Sequence, residues 1–368
     1  MKGALLYGVF YLCAAGICSA GISEYLFFEQ EAFLVFLLYW LFPLIGFSIL
    51  FLGVNCKLNS YKNNRLEYSI SFWLILVVVD FIFAGYIPIV NILTSDGGLY
   101  TEFKPPLHGL TNAISLSIVC FLPFSTFRKK NLIAAIIIGY QLIILNRGPL
   151  IYHLLAYVTG CIFVNKKYLN LKKIVLWLIG VLILFSFVGS LRSGFREDVD
   201  IHELFGITSS YGWLPGAVVW IIIYFSSPIS NLLYNISLEE VTCSSGVSAV
   251  LSSVIPGFLR NAYLEHDVMS GNNLACEITG QLYYAGLNVS TGFVQYFIDF
   301  GKWGLTISSL ITAMVLYRIS KTYEKWDALN SLLIVLLFVS IFAPAYNQLS
   351  FMAAFIIIKF GERQIETR

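Results

Sequence analysis

The chain has 368 residues, of which 58% are apolar and only 12% charged, and its mean hydropathy is +0.78. A soluble domain of this size cannot hide so much apolar surface, so lipid is the expected solvent for most of it. The net charge of +2 leaves no basic footprint for a nucleic acid, and the seven cysteines, which include Cys243 and Cys276, show no metal-ligand spacing, so neither metal nor cofactor is expected.

Crossing roughly 30 Å of hydrocarbon takes about 20 apolar residues, and such runs are predicted at 3–23, 32–54, 69–93 and 110–127. Residues 132–164 form one apolar stretch broken by Asn146-Arg147-Gly148-Pro149. It is too long for one helix and short for two, and reads as a tight hairpin. Further runs lie at 174–191, 293–319, 329–346 and 347–361. The first run is not a signal peptide, because more spans follow it at once. The expected fold is all-α: a polytopic integral membrane protein with about 10 transmembrane helices (10–12 at most), one membrane-embedded domain over 1–368 with no repeat or low-complexity tract.

Lys and Arg accumulate in cytoplasmic loops, and most basic residues follow that rule here. Lys2, Lys57, Lys62, Arg65, Arg128 to Lys130, Lys166, Lys167, Lys172, Lys173, Arg318, Lys321, Lys325, Lys359, Arg363 and Arg368 fall in predicted inner segments. Both termini are therefore expected in the cytoplasm. Six basic residues, Lys104, Arg147, Arg192, Arg196, Arg260 and Lys302, fall in outer segments or at their edges, together with most of the acidic residues. The outer segment 192–292 is far longer than an ordinary connector, and long loops are usually functional. Within it, the apolar run 216–225 followed by Ser226-Ser227-Pro228 reads as an interfacial or re-entrant helix, or else as a two-helix hairpin. Either keeps the later spans in their expected orientation.

Arg147 is the most anomalous residue, since it sits at the tip of a short-armed hairpin where a guanidinium is costly unless paired. It reads either as a snorkelling cap or as an anion site. Asp80 is an acidic residue in the middle of a predicted span and is expected to pair with an arginine or a tyrosine. Arg192 and Arg196, followed by Glu197, Asp198 and Asp200, read either as two phosphate-binding guanidinium groups at headgroup depth or as a solvated, self-paired charge cluster. Arg260, Glu265, His266 and Asp267 put an arginine, a histidine and two carboxylates within eight residues. Such a set can neutralise a leaving phosphate and accept a proton from a hydroxyl, or make ordinary surface ion pairs. His108 and His202 read as incidental loop histidines, and the sequons at Asn235 and Asn288 carry no weight.

The architecture resembles the Wzy-type O-antigen polymerases, which join oligosaccharide repeat units of bacterial surface polysaccharides. The residues that carry the likeness are Asn146-Arg147-Gly148, the arginine-bearing loop from Arg192 to Asp200, and the cluster Asn288 to Gly292 leading into Asp299-Phe300-Gly301-Lys302-Trp303-Gly304. The resemblance implies a metal-independent glycosyltransferase on the periplasmic face of the inner membrane. Its donor and acceptor would both be undecaprenyl-diphosphate-linked oligosaccharides, and a chain-length regulator would be its partner. Arg147, Arg192, Arg196 and Arg260 would contact diphosphate and sugar, with Glu265, His266 or Asp267 as the base. Tyr211, Trp213, Tyr283 and Tyr284 would stack on sugars or anchor the membrane interface. The rival readings are an O-antigen ligase, a lipid-linked oligosaccharide flippase or other transporter, and an acyltransferase that uses His153.

Overall fold

In the computed structural model the described residues are 2–51, 66–94, 103, 105–125, 127–164, 180, 200–238, 250, 280–284, 287, 289–321, 327–343 and 349–366. They are helical almost throughout: α1 Lys2–Ser19, α2 Gln30–Leu50, α3 Leu66–Ala84, α4 Pro88–Thr94, α5 His108–Phe121, α6 Lys130–Ile143, α7 Arg147–Val164, α8 Gly216–Ser237, α9 Val294–Phe300, α10 Lys302–Lys321, α11 Ala328–Val339 and α12 Leu349–Glu366. The one extended pairing among the described residues is a bridge between Ser23 and Ile207. Among the described residues four helices, Gln30–Leu50, Leu66–Ala84, Val218–Ser237 and Lys302–Lys321, are long and apolar enough to cross a membrane. On the first two much of the apolar surface faces outward, as at Leu38, Leu50, Ile75, Val78 and Ile82, which suits a lipid solvent and not water.

The chain divides into two compact units. The first comprises Met1–Cys56, Val199–Lys321 and Leu336–Leu349. Its core is aromatic: Tyr11, Phe36, Trp40 and Phe293 are buried in mutual ring contact. Here α2 passes through a π-helical turn, Leu37–Leu41, just before Pro43. Proline has no N–H, so the carbonyl of Tyr39 loses its helical donor. The hydroxyl of Thr306 on α10 donates to that carbonyl instead, at 2.9 Å.

The second unit comprises Lys57–Asp198, Thr322–Val335 and Ser350–Arg368. In it α5 packs against α3 and α7, and α7 packs antiparallel to α6 as the expected hairpin. The hairpin turn is a Schellman motif: the amide of Leu145 donates to the carbonyl of Leu142 at 3.0 Å, and that of Asn146 to the carbonyl of Gln141 at 3.1 Å. The motif needs a left-handed residue, usually glycine, yet that position is held by Leu145 at φ 55. Burial of Leu145 against Leu150, Ile138 and Leu142 accompanies the strain.

Several expected spans differ in detail. The run 69–93 is two helices, not one: α3 ends at Gly85, which is left-handed at φ 71, and α4 starts afresh at Pro88. The residue before a proline is pushed out of the helical region, so the break falls there. The run 293–319 is likewise split at Gly301, with φ 55. A Cβ on Gly304 would lie 1.7 Å from the carbonyl oxygen of Tyr296, so the two glycines build a tight corner between α9 and α10. In the run 329–346 the helix ends at Val339, and turns follow through 340–343. Residues 216–237 form one uninterrupted helix of 22 residues; the two-helix hairpin is not formed. The predicted span 174–191 lies outside the described residues except for Gly180.

Candidate functional site

Polar side chains gather at one end of the second unit. Asp80 is fully buried near the end of α3, and His108 opens α5 with its Nδ1 3.4 Å from Asp80 Oδ2. The Tyr140 hydroxyl on α6 donates to the same oxygen at 3.5 Å. The side-chain amide of Asn112, one helical turn after His108, lies 3.0 Å from His108 Nε2 and accepts from Gln141 Nε2 at 2.9 Å. With Asn112 donating to Nε2, the proton of a neutral His108 sits on Nδ1 and points at Asp80. Phe103 closes over the group, edge-on to His108 and tilted on Phe81.

A second arm starts on the same helix. Ser115 is 2.7 Å from His153 Nε2, and His153 Nδ1 is 2.5 Å from the carbonyl of Pro149. A carbonyl only accepts, so Nδ1 carries a hydrogen and Ser115 donates to Nε2 when His153 is neutral. This ties the polar centre to the first turn of α7, which begins with Arg147. Asp80 Oδ1 and Gln141 Oε1 are buried and accept no hydrogen bond. Such deficits cost roughly 1–3 kcal/mol each, and more for a charged group.

The first unit carries an aromatic cleft of about 160 Å³ lined by Leu204, Phe205, Trp220, Tyr224, Ser227, Tyr284, Leu287 and Val289. Trp220 and Tyr224, one turn apart on α8, stack at 5.3 Å, and Tyr284 stacks on Tyr25 at 3.7 Å. Hydrogen bonding with Tyr284 holds the Tyr25 phenol above its ordinary range. The hydroxyl of Ser227 is buried and has no hydrogen-bond partner. Asn231 and Asn235, on one face of α8, pin the far wall: Asn231 Nδ2 donates to the carbonyls of Leu287 and Val289 at 2.8 and 2.6 Å, and Asn235 exchanges hydrogen bonds with the backbone of Gln281. The near wall includes the turn Ile201–Leu204, capped by Asp200, whose carboxylate accepts from the His202 amide at 2.8 Å. That hydrogen bond holds the Asp200 carboxyl below the usual carboxylate range.

Of the residues expected to carry chemistry, Arg192, Arg196, Arg260, Glu265, His266 and Asp267 lie outside the described residues, as do Asp198, Cys243, Cys276 and Asn288. The backbone of Arg147 begins α7. Asp80 has its tyrosine partner, Tyr140. His108, read as an incidental loop residue, is instead a helix-opening residue facing Asp80; only the preceding Lys104-Pro105-Pro106 hinted that a helix starts there. His202 is likewise engaged, bonded to Asp200 and to the carbonyl of Leu214. Among the aromatic residues, Tyr284 lines the cleft, while Tyr283 packs on Phe27 and Tyr234, Trp213 is exposed and Tyr211 donates to the carbonyl of Ala20. No group of three or more His, Cys, Asp or Glu side chains gathers among the described residues. Comparison with protein-family models, curated proteins and solved structures gives no match for this chain.

Proposed function

We propose that the chain is an inner-membrane glycosyltransferase that polymerises undecaprenyl-diphosphate-linked oligosaccharide units on the periplasmic face. In this reading it crosses the membrane about ten times, with both termini in the cytoplasm, and the segment 192–292 faces outward. The resemblance of the sequence supplies the reaction, and the basic residues of the short loops supply the orientation.

The observation that carries the reading is the aromatic cleft. Stacked Trp220–Tyr224 and Tyr25–Tyr284 pairs beside the unsatisfied Ser227 hydroxyl present flat apolar faces and a hydrogen-bonding group, the combination that suits a sugar ring. In the proposed reaction an acceptor-sugar hydroxyl attacks the anomeric carbon of the donor chain and a base takes its proton. The bond to the lipid diphosphate breaks, and that diphosphate leaves with the electron pair. Guanidinium groups of Arg147, Arg192, Arg196 and Arg260 would stabilise the departing charge, and Glu265, His266 or Asp267 would be the base.

The lipopolysaccharide ladder of a strain lacking the protein tests this. A core bearing a single repeat unit supports the polymerase, and a bare core with lipid-linked polymer accumulating means a ligase. Loss of both favours a second reading, a transporter of lipid-linked oligosaccharide. The observation behind that alternative is the polar set of buried Asp80 and His153 with part-buried His108, which spans three helices of the second unit.

A further inference from the structure

The polar centre of the second unit presents oxygen atoms with nothing to accept from. Asp80 is fully buried; its Oδ1 has no hydrogen-bond partner, and its Oδ2 has only two long contacts, 3.4 Å to His108 and 3.5 Å to Tyr140. Gln141 Oε1, on the same network, is also unsatisfied. Turning the amides of Asn112 and Gln141 would exchange oxygen for nitrogen at Gln141 but would leave Asp80 Oδ1 as it is. A carboxylate withdrawn from water needs its charge matched by a cation or a proton.

The groups that supply such a match on the surrounding helices are few. On α3, Glu67 lies at the opposite end. On α5 the titratable neighbour is His108, the one basic group within ion-pair distance of Asp80 among the described side chains, and a match for its charge only when protonated. On α6 it is Tyr140, while the Lys130 ammonium donates to the carbonyl of Pro123. On α7, His153 is engaged by Ser115 and Pro149, and Arg147 stands at the helix start. A divalent ion brings two positive charges and is held by several carboxylate or carbonyl oxygens, and no group of three or more His, Cys, Asp or Glu side chains forms among the described residues to share that charge. A single positive charge is what one open carboxylate oxygen matches.

We propose that Asp80 is the carboxylate of a monovalent-cation site, its Oδ1 binding a proton or a sodium ion while His108 and Tyr140 hold Oδ2. The site stands on the geometry of the second unit alone and does not depend on the glycosyltransferase reading. Dicyclohexylcarbodiimide adds to protonated carboxyl groups in apolar surroundings, and the adduct is read as a mass shift on the peptide that contains Asp80. Purified full-length protein in detergent and sodium-free buffer is expected to be labelled there, with the adduct missing in Asp80→Asn. Protection by sodium chloride but not by potassium chloride identifies a sodium site. Labelling that falls as pH rises, whether or not sodium is present, identifies a proton site. No labelling at Asp80 from mildly acidic to mildly alkaline pH, in protein that is labelled on the same peptide once unfolded, overturns the proposal; that is the result expected if a fixed protein cation such as Arg147 neutralises the carboxylate.

Discussion

Leu145 offers an unusual reversal of the normal order of substitution costs. At a buried helical or extended position, glycine is worse than alanine by about 0.5–1 kcal/mol, because it loses more freedom on folding. Leu145 is 1% exposed but left-handed, at φ 55, and a side chain in that conformation costs roughly 1–2 kcal/mol that glycine does not incur. Leu145→Ala and Leu145→Gly both forfeit the contacts with Leu150, Ile138 and Leu142, a loss of about 2–5 kcal/mol for a well-packed site. That loss is largely common to both, so their difference isolates the backbone. Glycine is expected to be more stable than alanine by about 0.5–1 kcal/mol, the strain relieved less the extra chain entropy. For a chain this long that difference moves Tm by roughly 1 °C, measurable by replicate thermal unfolding of the purified variants side by side in one detergent. An alanine variant equal to or more stable than the glycine variant would show that the left-handed turn does not form.

Three further outcomes follow from single contacts. Thr306→Val is expected to cost about 1 kcal/mol, because it leaves the Tyr39 carbonyl without a donor. In a Pro43→Ala background, which restores the helical donor, the same change is expected to cost close to nothing, as a double-mutant cycle would reveal. Gly304→Ala drives a Cβ into the Tyr296 carbonyl at 1.7 Å and is expected to destabilise by more than about 3 kcal/mol, beyond ordinary overpacking; folded yield in a fluorescence-detected gel filtration reads it. The Asp200 carboxyl is held below its usual range when folded, so its contribution to the Ile201–Leu204 turn is present above the unfolded carboxylate range and is lost as pH falls through the lowered one. Hydrogen exchange at the His202 amide is expected to lose protection on that acid side in the wild type. In Asp200→Asn that pH dependence is absent.

The sequence announced helices, the broken hairpin and an arginine or tyrosine partner for Asp80, because hydropathy over about 20 residues and a lone charge in an apolar run are strong local signals. It misplaced helix ends at Gly85 and Gly301, since glycine in an apolar run reads as tolerated unless the left-handed conformation is known. The same ambiguity hid the corner built by Gly301 and Gly304 in Asp299-Phe300-Gly301-Lys302-Trp303-Gly304. His108 and Asn112 were invisible as a pair with Asp80 because the contact joins residues 28 apart, a separation that no periodicity encodes. Asn235 read as a sequon of no weight and is instead a buried clamp on the cleft wall, a role fixed by tertiary contacts alone. The arginine and histidine sets at Arg192, Arg196, Arg260 and His266 rest on sequence chemistry, so the arrangement of the proposed phosphate-binding groups comes from the pattern of residues.

Chain elongation by the purified protein tests the proposed activity most directly. Reconstituted in proteoliposomes with undecaprenyl-diphosphate-linked repeat units as the sole substrate, the wild-type chain is expected to give lipid-linked products of two, three and more repeats. One free undecaprenyl diphosphate should be released for each new linkage, with Arg147→Ala and Trp220→Ala folded but impaired. Repeat units that stay single and lipid-linked while the wild-type protein remains folded would contradict the glycosyltransferase reading.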